Sequence, residues 1–329
     1  MDRSKNTIKG WSSMNNCNNK KINDKKAILD YNHPLDYALL MEYLEIFTER
    51  YYFMDFQYIG KSIMGRKIPM IRLGYGSDRS LLYVGAHHGM EWITSIILLR
   101  FINEFCEIYK GGRTVYGLDL AYLYNTRSIY IVPMLNPDGV DYQINGLSPD
   151  NPIRERLIAM NGGSSDFSSW QANGRGVDLN HNYNYGFMEY KAIEQATGII
   201  NGAPTRYSGE CPESEPEVSA LCNIIRTCDI KMILTLHSQG EEIYYTSGGK
   251  VAPRSESIVK LLAKMSGYTP SSPEGMASFG GLTDWYIHEF NQPSFTIECG
   301  KGKNPLPLED YFPIYMRLRE VLFTSPIIM

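Results

Sequence analysis

His88 and Glu91 stand three positions apart in the run His87-His88-Gly89-Met90-Glu91. Imidazole nitrogen and carboxylate oxygen both bind zinc, and a catalytic zinc takes three protein ligands and keeps one position open. The pair therefore predicts a third ligand from elsewhere in the chain. Alone, H-x-x-E is common by chance, and a glutamate at a helix start beside two surface histidines is the plainer reading. His237, followed by Ser238, closes the apolar run Ile230-Lys231-Met232-Ile233-Leu234-Thr235-Leu236. A lone histidine after a strand is usually structural; one that completes a half-formed triad is read as the third ligand. Glu298 lies near the end of another apolar run, Ser294-Phe295-Thr296-Ile297. A charge there is unfavourable unless it is paired or used. It is either a salt-bridged core glutamate or a general base beside the metal.

These residues need elements to position them. Leu81-Leu82-Tyr83-Val84-Gly85-Ala86 reads as a strand buried on both faces. From Glu91 onward, Trp92, Ile93, Ile96, Ile97, Leu99, Phe101, Ile102 and Phe105 recur at helical spacing. His88 and Glu91 thus sit where a strand end meets a helix start, the place where ligands bind in open α/β sheets. Residues 56–59 and 67–73 are strand candidates around a turn at Met64-Gly65-Arg66. Residues 128–135 form another, ending in the turn signal Asn136-Pro137-Asp138-Gly139. Helices are expected over 34–54, 213–228 (with Pro216 in the first turn), 255–265 and 308–322, with another opening at 279–286. Residues 142–170 show no period and read as long surface loops. Strands alternating with helices predict one α/β domain: a mixed, mostly parallel twisted sheet with helices on both faces.

The chain has 329 residues, enough for a large core. Residues 1–30, rich in Asn, Lys and Ser, read as a flexible or irregular extension without the apolar stretch of a secretory signal. Residues 31–329 show no repeat or second boundary. A net charge of -4 offers no electrostatic case for nucleic-acid binding, and no segment reaches membrane-spanning length. The six cysteines form no C-x-x-C pairs and read as reduced thiols, so a cytoplasmic location is expected. Oligomeric state leaves no signal.

The ordered set of motifs resembles the zinc carboxypeptidases of the M14 metallopeptidase family, from about Tyr58 to the last helix. In that family H-x-x-E supplies two ligands (His88, Glu91) and a later His-Ser the third (His237). An aspartate orients the first histidine (Asp178), two residues before an anchoring asparagine (Asn180). The Asn-Pro-Asp-Gly turn matches 136–139, and the base in Phe-Thr-x-Glu matches Glu298, at the expected distance after Asp284-Trp285. The resemblance implies one Zn2+ per chain and a peptide substrate. Zinc would lower the pKa of a bound water, and Glu298 would move its proton to the leaving amine.

The departures concern the grip on substrate. Family arginines for the terminal carboxylate and the oxyanion are replaced: Met90 stands within the first motif, His181 after Asn180, Gln171 upstream, and Met276 where a tyrosine is usual. Gln171 would give a neutral hydrogen bond to the oxyanion, and Arg175 is a candidate to reach in instead. Trp170-Gln171-Ala172-Asn173-Gly174-Arg175-Gly176-Val177-Asp178-Leu179-Asn180-His181 and Gly300-Lys301-Gly302-Lys303-Asn304-Pro305-Leu306-Pro307 resemble the γ-D-glutamyl-meso-diaminopimelate peptidase branch. That implies cell-wall peptides (muropeptides) as substrate. A diamino acid would bring a second carboxylate and an ammonium, and the loop residues Lys301, Lys303 and Glu242 are candidates to meet them. The alternatives are a general metallocarboxypeptidase removing C-terminal residues, an amidase or deacylase on the same scaffold, and an inactive peptide-binding module. An intact Glu298 argues against the last.

Overall fold

The computed structural model describes Leu29 and residues 32–76, 79–273 and 279–329. Apart from Leu29, the expected N-terminal extension lies outside the described residues, as does Met276.

Eight strands form the main sheet: β1 (Asp55–Lys61), β2 (Lys67–Leu73), β3 (Ser80–Val84), β4 (Ser128–Val132), β5 (Ile230–His237), β6 (Glu242–Tyr244), β7 (Thr269–Ser271) and β8 (Ser294–Glu298). Their spatial order is β1-β2-β4-β3-β5-β8-β6-β7. Central β4, β3, β5 and β8 run parallel, β2 and β6 pair antiparallel at their flanks, and β7 lies parallel to β6. The sheet is therefore mixed and mostly parallel, as expected.

Alternate side chains of the central strands enter two different cores, because strand residues alternate between faces. Leu81, Tyr83, Ile129, Ile131, Leu234, Leu236 and Ile297 join one core, with the helices Tyr37–Arg50, Ile93–Lys110, Ser255–Ser266 and Tyr311–Ile328 on that face. Leu82, Val84, Tyr130, Val132 and Ile233 join the other, under the helices Pro216–Thr227 and Leu282–Phe290. Burial from both sides explains why these strands read as continuous apolar runs. Each fully buried aliphatic side chain contributes about 1.5–3 kcal/mol relative to exposure.

Two expectations change. The Asn136-Pro137-Asp138-Gly139 segment opens a helix, Pro137–Asn145: Asn136 caps it by accepting from the Gly139 N–H at 2.9 Å, and Pro137 fills the first turn, where its missing N–H costs nothing. Residues 142–170 are not all loop either. The helix Arg154–Met160 lies there, and Tyr142, Leu157, Phe167, Trp170 and Ala172 form a small third core. That core has too few residues per turn to leave a readable period.

Candidate active site

β3 and β5 deliver their histidines to the same end of the sheet because they are parallel neighbours. After β3 the chain enters a 3-10 turn, Gly89–Glu91, with His88 at its start, and then the helix Ile93–Lys110. Gly89 is required by close approach: a Cβ there would lie 2.4 Å from the Gly139 carbonyl oxygen and 2.7 Å from that of Trp170. Asn136 braces this turn, its Nδ2 donating to the carbonyls of His87 (3.0 Å), Gln171 (3.1 Å) and Ala172 (3.1 Å). The Asn-Pro-Asp-Gly segment thus serves the site from behind.

His88, Glu91 and His237 come together, their ligand atoms all within 4.8 Å of one another. His88 Nδ1 lies 2.9 Å from Glu91 Oε1, and His237 Nδ1 lies 3.0 Å from Glu91 Oε2. Glu91 is buried, yet its carboxyl is held down at about 2: burial would raise it, and the two adjacent imidazoles outweigh that. The opposite nitrogen of His88, Nε2, meets Asp178 Oδ1 at 3.1 Å. Asp178 in turn accepts from the backbone N–H groups of Asn180 (3.2 Å) and Arg206 (3.0 Å). Burial alone would raise its pKa, but His88 beside it and these bonds hold it well below the usual carboxylate range.

The donor set fits zinc. It offers two imidazole nitrogens and one carboxylate, facing one another and largely buried. Asp178 on Nε2 of His88 leaves Nδ1 as its ligand atom, the arrangement by which a carboxylate orients a metal-bound histidine. His87 faces away from this group. Its Nε2 lies 2.9 Å from the Tyr183 hydroxyl and its Nδ1 3.3 Å from the Thr235 hydroxyl. Burial, with His237 and His88 nearby, pushes its pKa well down, so it stays neutral.

Glu298 is the register partner of His237 across β5 and β8, and partners in a parallel pair share a face. Its carboxyl is pushed up to about 8 by burial and then by Glu91.

The residues read as substrate-binding separate in space. Gln171 is tied to the His88–Glu91 turn, its carbonyl accepting from the Gly89 N–H at 2.9 Å. Asn180 Oδ1 accepts from the Leu282 N–H at 3.2 Å, joining the segment to the start of the helix Leu282–Phe290. Arg175 is directed elsewhere. Its guanidinium binds Glu215 twice, Nε to Oε2 at 2.9 Å and Nη2 to Oε1 at 2.7 Å. Glu215 is fully buried, so the nearest large stabilisation available to Arg175 is that ion pair, not an open substrate cleft. Removing one partner of a buried pair typically costs about 3–5 kcal/mol. Because the Arg175 side chain keeps 35% exposure, Arg175→Ala is expected near the lower end. Urea unfolding should show the loss, while KM for a cleaved peptide should change little; a large rise in KM with unchanged stability would restore Arg175 to the substrate.

His181 is stacked on Tyr190 with ring centroids 4.0 Å apart, and its Nδ1 lies 2.9 Å from the Phe279 carbonyl oxygen. A carbonyl only accepts, so Nδ1 carries the proton. Burial lowers the pKa of this ring. Neutral near pH 7, it presents a bare Nε2, an acceptor that cannot hold a carboxylate.

Sequence reading missed Arg206, Tyr190 and Tyr183. Arg206 adopts φ 68°, unusual for a residue with a side chain, and so aims its N–H at Asp178. No local pattern announces such a contact. Of the other residues read as meeting a diamino acid, Lys301 pairs with Glu241 at 3.1 Å. Glu242 is not in a loop but opens strand β6. The five described cysteines are unbonded, and no helix among the described residues is long and apolar enough to cross a membrane.

A two-histidine, one-glutamate cluster at the carboxyl end of a mixed α/β sheet, with a second glutamate beside it, defines a hydrolase of the metallopeptidase class. The zinc carboxypeptidase (peptidase M14) family model matches residues 40–318, and the chain belongs to that family. It is 35% identical over 280 residues to "Gamma-D-glutamyl-L-diamino acid endopeptidase 1" of Lysinibacillus sphaericus, covering 85% of this chain and 69% of that protein. It is 26% identical over 257 residues to carboxypeptidase B of Rattus norvegicus, covering 73% of this chain and 56% of that protein. The fold is shared with the crystal structure of thrombin-activatable fibrinolysis inhibitor, with a TM-score of 0.68 at 20% identity over 91% of this chain and 74% of that one. It is shared too with murein-tripeptide amidase from Escherichia coli O157, with a TM-score of 0.52 at 19% identity over 81% of this chain and 90% of that one. The protein is a zinc metallopeptidase.

Proposed function

We propose that the protein hydrolyses the amide bond between γ-D-glutamate and the diamino acid that follows it in bacterial cell-wall peptides. The observation that carries this reading is the state of His181: the residue after Asn180 is neutral and turns an acceptor toward its surroundings. A plain C-terminal α-carboxylate would be gripped poorly there, where an arginine would hold it with two parallel bonds. A diamino acid brings a second carboxylate and an ammonium as further handles. The similarity to the Lysinibacillus sphaericus endopeptidase supports the same substrate class.

His88, Glu91 and His237 would hold one zinc. Bound there, zinc supplies Lewis acidity and lowers the pKa of water, and its positive charge draws the Glu298 carboxyl back toward ionisation. Glu298 takes the proton of the attacking water and passes it to the leaving amine. Asp178 keeps the proton of His88 on Nε2. Gln171, whose backbone carbonyl is tied to the 3-10 turn, is the residue this reading assigns as the neutral donor to the developing oxyanion.

The test compares kcat/KM for L-Ala-γ-D-Glu-meso-diaminopimelate with that for a matched α-linked peptide ending in Phe. The diamino acid substrate should win by at least about tenfold, roughly 1.4 kcal/mol of transition-state binding. His181→Arg should narrow the gap by improving the Phe peptide. A clear preference of the unaltered protein for Phe would leave a general metallocarboxypeptidase.

A further inference from the structure

The sheet face carrying Glu298 changes character toward the edge of the sheet. On the opposite face the edge-ward neighbours Leu236, Ile297 and Ile243 are fully buried and apolar. On the Glu298 face, register pairs His237 with Glu298 and Glu298 with Glu242. The next row pairs Thr235 with Thr296 and Thr296 with Tyr244. A polar floor therefore runs outward from a zinc ligand, past the base, to Glu242.

Glu242 lies directly opposite Glu298 on an antiparallel pair. Two carboxyls in that relation disfavour each other's ionised forms, and a partly buried carboxylate without a cation is unfavourable. The fold nonetheless holds it there. The Tyr244 hydroxyl donates to Oε2 at 2.7 Å and the Ser271 hydroxyl to Oε1 at 3.0 Å. Among the described residues Glu242 makes no ion pair, whereas Glu241, one position earlier, is met by both Arg317 and Lys301. Gly240 lies beside both acids: a Cβ there would be in ordinary contact with Glu298 Cβ (3.5 Å) and Glu242 Oε2 (3.6 Å).

We infer that Glu242, oriented by Tyr244 and Ser271, is the seat for a side-chain ammonium on the residue next to the scissile bond. A carboxylate that accepts two O–H bonds retains lone pairs for a third donor. An ammonium seated on Glu242 would also offset the repulsion between Glu242 and Glu298 once Glu298 is ionised as the base. The inference rests on the peptidase reading above and assigns its preference for a diamino acid to one residue.

The experiment uses the zinc-loaded full chain and Glu242→Gln on two matched substrate pairs. One pair is γ-D-glutamyl-linked and ends in meso-diaminopimelate or in 2-aminopimelate, which lacks only the second amine. The other is α-linked and ends in lysine or norleucine. The unaltered protein should favour the amine-bearing member of a cleaved pair by about 10–100-fold in kcat/KM, mostly through KM. Glu242→Gln should collapse that ratio, with zinc content and unfolding midpoint retained. Inhibition by free meso-diaminopimelate should weaken in parallel. A ratio that survives Glu242→Gln overturns the assignment. So does an equal fall for both members with a displaced pH profile, which would make Glu242 a positioning residue for Glu298. The pairs also separate this inference from the substrate reading. If only the lysine–norleucine pair is cleaved and its ratio collapses, the cell-wall reading fails and the Glu242 assignment stands. If γ-linked substrates are cleaved without amine preference, the assignment fails and the reading stands.

Discussion

Glu298→Gln should keep one zinc per chain and lose turnover by roughly 10²–10⁴-fold, the contribution of a positioned general base, or more if the residue serves in both proton transfers. The expectation follows from where the side chain stands. Glu298 shares a sheet face with His237 but lies outside the ligand group of His88, Glu91 and His237. Glutamine preserves size and hydrogen-bonding capacity, and it cannot accept the proton. Burial already disfavours charge at this position, so the neutral replacement should not destabilise the fold. Zinc content by atomic emission and kcat on the same preparation decide the matter. If metal disappears along with activity, Glu298 is a ligand and the assignment of a base is wrong.

Removal of His237 should abolish both zinc binding and turnover. His237→Ala leaves two of three donors, and Glu91 loses the imidazole that meets its Oε2 at 3.0 Å. Losing a partner that merely orients a ligand costs about 10–100-fold in affinity or activity, and losing a ligand should exceed that. Equilibrium dialysis against a zinc buffer gives the affinity directly. His87→Ala is the informative control. His87 neighbours both ligand histidines, with ring centroids 5.1 Å from His237, but its nitrogens face Tyr183 and Thr235. It should weaken the fold by leaving a cavity and depriving the Tyr183 and Thr235 hydroxyls of their partner, and still bind zinc. Wild-type zinc affinity in His237→Ala, or loss of zinc in His87→Ala, would redraw the site.

Much of this arrangement is legible in the amino-acid sequence. His88 and His237 stand out because each ends a run of apolar residues, and a polar group at that place needs a reason that is local to the sequence. The central strands are legible for the same cause: buried on both faces, they must be apolar throughout. β6 and β7 escaped notice because each has three residues, too few to establish a period.

What the chain could not disclose is the choice of partners across long separations. Arg175 and Gln171 were equal candidates for the substrate in sequence; only the fold brings the buried carboxylate of Glu215 to the guanidinium and leaves Gln171 beside the ligand turn. The identity of His181 was plain, but its tautomer was not. That depends on the Phe279 carbonyl, 98 residues along the chain, which accepts a hydrogen bond from Nδ1. Glu242 read as a loop residue, and the register of β6, one strand in from the sheet edge, sets it against Glu298. Burial and period are properties of a segment and survive in its composition. Ion pairing, tautomer and strand register belong to pairs of segments, and they exist only once the chain has closed on itself.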